Sequence, residues 1–248
     1  MSQSIKRRKA IIGGTGFGAS LISGTAETIP TIYGDALVTR ANLGDGLELI
    51  FLARHGPGHS LPPHKINHRA NIAALQSFEV EAVFATTAVG SLHTEIAPGD
   101  FVLLVDFLDL TRGEVVTFFE TLKQVRHTDF SVPYDLGLRQ TLLDTRDTSL
   151  PVHPSGTYIC VSGPRYETPA EVRLFASWGA DVVGMTGAPE AILCREAGLR
   201  YAGVSLATNY GTGLLPGVPL SHADVEKQMA SRREALAAWL LRAVQVSS

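Results

Sequence analysis

Short unbroken apolar runs, separated by segments with helical spacing, set the pattern of this chain. Ala10–Ile12, Leu47–Ala53, Ala82–Thr87, Phe101–Val105, Thr157–Val161, Val182–Met185 and Tyr201–Leu206 read as strands. Several lack polar alternation, which fits strands covered on both faces. Asn67–Phe78, Thr168–Trp178, Pro189–Ala197 and Ala223–Val246 read as helices. Thr168-Pro169-Ala170-Glu171 combines an N-cap, a first-turn proline and a capping-box acid. Ala188-Pro189-Glu190 is a second helix start, and Gly179 and Gly198 are stop signals. Ser23–Tyr33, rich in Thr, Pro and Gly, is a poor helix. There is no internal repeat and no linker. The pattern predicts one α/β domain over residues 1–248, with a central mixed, largely parallel twisted sheet flanked by helices.

Composition narrows the classes. The chain has 248 residues, 45% hydrophobic and 18% charged, enough for a core without staples. Its charge is 21 minus 24, or -3, which argues against binding nucleic acid through bulk charge. The basic tract before Lys9 makes residues 1–9 an expected solvated arm. The longest clean apolar run, Phe101–Val105, is strand-sized and far short of a membrane span. Cys160 and Cys194 stand far apart, and no secretory signal precedes them. The expectation is two reduced, buried thiols in a cytoplasmic protein. Gly is frequent, 24 residues, which suggests tight turns and backbone pressed close to ligands.

Candidate chemistry follows the strand ends, where open α/β sheets place ligands. Gly13-Gly14-Thr15-Gly16-Phe17-Gly18-Ala19 satisfies G-x-G-x-x-G/A through Gly14, Gly16 and Ala19. No firm helix follows, and Asp35 precedes the next strand-like run instead of ending it, so a dinucleotide site is poorly supported. A phosphate cradle of backbone N–H groups, aided by the Thr15 hydroxyl, fits better; a plain glycine turn is the alternative. Arg54 ends the Leu47–Ala53 strand, a place suited to bidentate phosphate binding or to a surface charge. His64 and His68 are spaced i, i+4, which permits a metal pair, but Lys65 stands where an H-E-x-x-H motif has Glu, and a polar helix start is the simpler reading. Ala85–Ser91 ends a strand in small residues, which lets a ligand approach the backbone.

The most specific stretch is Ser162-Gly163-Pro164-Arg165-Tyr166-Glu167-Thr168. Gly184-Met185-Thr186 and then Ala207-Thr208-Asn209-Tyr210-Gly211 follow it. In order and spacing, these segments and the earlier ones resemble the trimeric purine nucleoside phosphorylase and methylthioadenosine phosphorylase family, from Gly13 to the last helix. The resemblance implies phosphorolysis of a purine nucleoside by inorganic phosphate, with no metal or organic cofactor. It implies phosphate contacts from Thr15, Arg54, His55, Thr87, the Ala88 N–H and Thr186. Met185 would pack on the ribose and Tyr166 beside base and sugar. His127 would be offered by a neighbouring subunit near the 5′ group, in a trimer or a hexamer. Purine nucleoside and phosphate are then the partners, with neither nucleic acid nor membrane, and the setting is purine salvage.

Glu167 and Asn209 speak to the base. The adenine-cleaving branch carries Asp at the positions of Asn209 and Gly211, and a small hydroxyl residue at that of Glu167. Glu167 and Asn209 match the pair of the 6-oxopurine enzymes instead. An ionised Glu accepts the N1–H of hypoxanthine or guanine but faces a lone pair on adenine, and such buried bonds discriminate by up to roughly 10⁴-fold. Asn209 can donate to the base as it gathers negative charge. In isolation Glu167 would read as a helix N-terminal acid and Asn209 as a turn residue. On the 5′ side, Thr117–Glu120, His127–Phe130 and Pro133-Tyr134 resemble the methylthioinosine branch. His222 sits where a His meets the 5′-hydroxyl in ordinary purine nucleoside phosphorylases, although it could simply open the last helix. Gly211–Leu220 reads as a loop over this pocket. The substrates expected are S-methyl-5′-thioinosine, inosine or guanosine. The alternatives are a methylthioadenosine phosphorylase, a nucleosidase using water, and a purine-sensing binding protein.

Overall fold

The computed structural model describes residues 7–17, 22–113, 116–121, 125–215, 217 and 221–247. Among them are strands β1 (Arg7–Gly13), β2 (Thr25–Thr31), β3 (Gly34–Gly44), β4 (Leu47–Ala53), β5 (Ala82–Ser91), β6 (Phe101–Leu110), β7 (Val152–Val161), β8 (Val182–Gly184) and β9 (Arg200–Tyr210). The helices are α1 (His68–Ser77), α2 (Leu136–Thr145), α3 (Pro169–Ser177), α4 (Gly187–Glu196) and α5 (His222–Val246). The strand order is β2-β3-β4-β1-β5-β8-β7-β6-β9, and β9 also pairs with β5. Strands β5, β8, β7, β6 and β9 therefore close into a ring, and β1 to β4 extend from it as an open wing. The β1–β4, β1–β5, β5–β9, β6–β7 and β7–β8 pairings are parallel; β2–β3, β3–β4, β5–β8 and β6–β9 are antiparallel.

The unbroken apolar runs are explained by helices on both faces. Ala10 and Ile12 of β1 join one core with Ile72 and Leu75 of α1 and Ala188 and Leu193 of α4. Ile11, between them, points to the opposite core with Leu138 of α2 and Trp239 and Leu240 of α5. Thr168 caps α3 in a full capping box with Glu171, as its sequence predicts. Gly179 and Gly198 take φ of +84° and +74° just beyond α3 and α4.

Three features depart from the sequence reading. The expected arm over residues 1–9 is strand from Arg7 onward, and the tract before it lies outside the described residues. Lys9 is buried because its Nζ donates to the backbone oxygens of Val244 (3.1 Å) and Ser247 and to Ser247 Oγ (2.8 Å). The β2–β3 hairpin occupies Thr25–Gly44, where no strand was expected: β2 is an outer, largely exposed strand with a proline in it. Helix α2 was also unexpected. Its ten residues bury only Leu138 and Leu142, too few for a clear periodic signal.

Candidate active site

The ends of β1, β4, β5, β8 and β9 and the start of α5 converge on a cavity of about 380 Å³. The parallel strands β1, β4, β5 and β9 all present their C-terminal ends there. Between Val89 and Gly90 the β5–β9 register shifts, and β5 takes up antiparallel pairing with β8 through Gly90 and Ser91. This irregularity sits where Ala88, Val89, Gly90, Thr208 and Asn209 line the cavity.

One end of the cavity carries Thr15, Arg54, His55, Ala88 and Thr186. Arg54 is 1% exposed. Its Nε and Nη2 donate to the two carboxylate oxygens of Glu190 at 2.5 and 2.7 Å, and Nη1 donates to the Thr86 carbonyl at 2.8 Å. Burial alone would lower the Arg54 pKa, but the Glu190 charge and hydrogen bonds raise it overall. A guanidinium has five N–H groups, so one on each Nη is left for a ligand. Gly14 makes this possible: a Cβ there would lie 2.5 Å from Arg54 Nη1. Tyr158 Oη accepts from the N–H groups of Thr186 and Gly187 at 3.2 Å each, fixing the first turn of α4. His55 Nδ1 lies 2.9 Å from the Leu61 carbonyl. A carbonyl only accepts, so Nδ1 holds the proton and Nε2 is an acceptor. Burial, then the Arg54 charge, pushes the His55 pKa down to about 3.

The other end holds Tyr166, Glu167, Met185, Asn209 and His222. Glu167 is buried just before the N-cap of α3 and, among the described residues, forms no ion pair. Burial holds its carboxyl above the usual carboxylate range. Asn209 Oδ1 accepts from Thr208 Oγ1 at 2.9 Å, and Nδ2 donates to the Tyr210 carbonyl at 3.0 Å. One Nδ2 hydrogen stays free. Tyr166 Oη and His222 Nδ1 are 3.4 Å apart, and Val225 adds an apolar wall beside them.

Ten of the thirteen residues singled out from sequence thus line one cavity: Thr15, Arg54, His55, Ala88, Tyr166, Glu167, Met185, Thr186, Asn209 and His222. Three do not. Thr87 is buried with its hydroxyl 2.7 Å from Ser205 Oγ. Gly211 lines a separate cavity with Tyr210 and Asp224, and a Cβ there would meet the Ser91 carbonyl at 3.0 Å. His127 is exposed, away from this chain's cavity. The glycine turn also differs in detail. Gly13 and Gly14 make room for Phe51 and Arg54, and Gly18 and Ala19 lie outside the described residues. Of the loop Gly211–Leu220, residues 216 and 218–220 likewise lie outside them. His64 is exposed and His68 buried, and no cluster of metal-ligating side chains occurs among the described residues. Sequence reasoning missed Glu190 as a partner of Arg54, since the two are 136 positions apart. It also missed His59, which stacks on His55 with ring centroids 4.0 Å apart.

A family model described as the phosphorylase superfamily matches residues 8–245, and the chain belongs to that family. The 6-oxopurine nucleoside phosphorylase of Pyrococcus furiosus is 45% identical over 96% of this chain and 92% of its own length. A probable S-methyl-5′-thioinosine phosphorylase of Methanopyrus kandleri is 44% identical, over 82% of this chain and 79% of its own. Among solved structures, the Schistosoma mansoni methylthioadenosine phosphorylase bound to adenine superposes with a TM-score of 0.90 at 30% identity, covering 97% of this chain and 91% of that one. No helix among the described residues is long and apolar enough to cross a membrane.

Proposed function

We propose that this enzyme cleaves 6-oxopurine nucleosides by phosphorolysis, inosine, guanosine and S-methyl-5′-thioinosine being the candidate substrates. One observation carries the reading. A single cavity joins an anion end built on Arg54 to a base end with a buried Glu167 carboxylate that forms no ion pair among the described residues and an Asn209 amide with one N–H not bonded among them. Phosphate, held by Arg54, Thr15, Thr186 and the Ala88 N–H, attacks the anomeric carbon as the bond to N9 breaks. The purine leaves with the electron pair and takes up a proton; the sugar leaves as ribose 1-phosphate or its 5-methylthio counterpart. Asn209 donates to N7 as negative charge gathers on the base, and Glu167 accepts N1–H. Met185 and Tyr166 pack on the sugar. The reaction as written needs no metal or organic cofactor.

The 5′ end supports both sugar types. Tyr166 and His222 offer hydrogen bonds to a hydroxyl, and Val225 offers contact to a methylthio group. The exposure of His127 fits a homotrimer in which it completes a neighbour's 5′ pocket. A role in cytoplasmic purine salvage follows from these substrates. The test is a panel of inosine, guanosine, methylthioinosine and methylthioadenosine, with and without phosphate. The 6-oxopurine compounds should be cleaved, and only with phosphate. Faster cleavage of methylthioadenosine overturns the base assignment, and phosphate-independent cleavage makes the enzyme a nucleosidase.

A further inference from the structure

We propose that Glu190 is the positioning residue for the phosphate co-substrate, acting through Arg54; this rests on the phosphorolysis reading above. The carboxylate grips the side of the guanidinium with two bonds, at 2.5 and 2.7 Å, and both side chains are 1% exposed. Glu190 is itself held. Its backbone lies in the first turn of α4, the helix that follows Thr186, and Tyr201 Oη donates to Oε2 at 3.2 Å. Thr86 takes a further N–H at 2.8 Å. The guanidinium plane is thereby fixed on two edges, and its two remaining N–H groups have one direction to face.

The pair also cancels its own charge. His55 is neutral with its pKa near 3, so the anion end carries no net positive charge from these groups. Phosphate is therefore held by directed N–H and O–H groups, whose value depends on placement to within tenths of an ångström. A carboxylate that sets the placement of the one guanidinium at this end controls phosphate affinity without touching phosphate. Glu190→Gln keeps the shape, but its amide opposes an Arg54 N–H where an oxygen accepted one. Tyr201→Phe keeps the ring and removes one restraint on Glu190.

The experiment measures KM for phosphate and for inosine, together with calorimetric titration of inorganic phosphate alone, in the wild type and both variants. Glu190→Gln should raise the phosphate KM at least about 10-fold while the inosine KM stays within about 2-fold, because a charge-assisted bidentate contact is lost. Tyr201→Phe should raise the phosphate KM about 2- to 3-fold, as expected for one long neutral hydrogen bond. Equal changes in both KM values, or an unchanged or lower phosphate KM, overturn the positioning role. If Glu190→Gln does not fold, Tyr201→Phe decides alone by the same split. A wild type that neither binds nor needs phosphate refutes the phosphorolysis reading instead; a phosphate-dependent wild type with unaffected variants refutes this inference only.

Discussion

The two ends of the cavity are built differently. At the anion end, Arg54, His55, Thr186 and Glu190 are all buried, and Arg54 already donates to both Glu190 and the Thr86 carbonyl. At the base and 5′ end, Asn209 and Tyr166 are half-buried, His222 is exposed, and the contact between Tyr166 and His222 is a long 3.4 Å. The anion end is built on the turns after β1 and β4 and the start of α4, and the other end on the segment before α3, the end of β9 and the first residue of α5. Phosphate is the same in every turnover, so its donors gain from rigidity; the 5′ group varies, and the residues at that rim, Tyr166 and His222, are less buried than Arg54 and Glu190.

The contrast can be broken first at Arg54. Arg54→Met should lower kcat/KM for phosphate about 10³-fold, since anion-stabilising donors in a dry site contribute on that scale. The same change strands the Glu190 carboxylate in the core and should lower stability by about 3–5 kcal/mol in denaturant melts. A loss of activity under tenfold would mean that the buried pair is structural and that phosphate is held elsewhere. At the base end, Glu167→Ala should cost inosine about 10²-fold in kcat/KM while adenosine changes little. There the pH dependence has a defined sign. Burial raises the Glu167 pKa, so on acidification it protonates earlier than an exposed glutamate. Protonated, it is a weaker acceptor for the N1–H of hypoxanthine and gains an O–H that can donate to N1 of adenine. The inosine-to-adenosine rate ratio should therefore climb as pH rises through that raised pKa, and a flat ratio would remove Glu167 from base selection. The smallest effect belongs to the 5′ rim. His222→Ala should slow inosine about 10-fold and methylthioinosine less than about 3-fold, the scale of a single hydrogen bond; equal losses would end its role as a hydroxyl contact.

Legibility in the sequence follows the same divide. Strands buried on both faces, such as Leu47–Ala53, announce themselves as apolar runs, and α3 and its capping box could be placed nearly to the residue. The β2–β3 hairpin could not, because β2 has little burial to pattern it. Among site residues, those lying in short local stretches, Tyr166-Glu167 or Met185-Thr186, were readable because those stretches carry the resemblance to the family. Glu190 was visible only as a helix-start acid, for nothing local distinguishes a solvated first-turn glutamate from one paired with an arginine 136 positions away. Gly211 was read as space left open in the base pocket; its backbone donates to the Ser91 carbonyl at 2.7 Å, and a side chain there would meet Ser91 and Val172. Local sequence does not reveal which way a residue faces after a register shift.

The buried Lys9 ties together two stretches far apart in the chain. Its ammonium lies in β1, directly before the turn that carries Thr15, yet its acceptors are Val244 and Ser247, 235 and 238 positions later. A desolvated ammonium without acceptors is strongly disfavoured. β1 therefore reaches its native surroundings only once the stretch from Val244 to Ser247 is in place, which makes these two distant segments cooperative in folding.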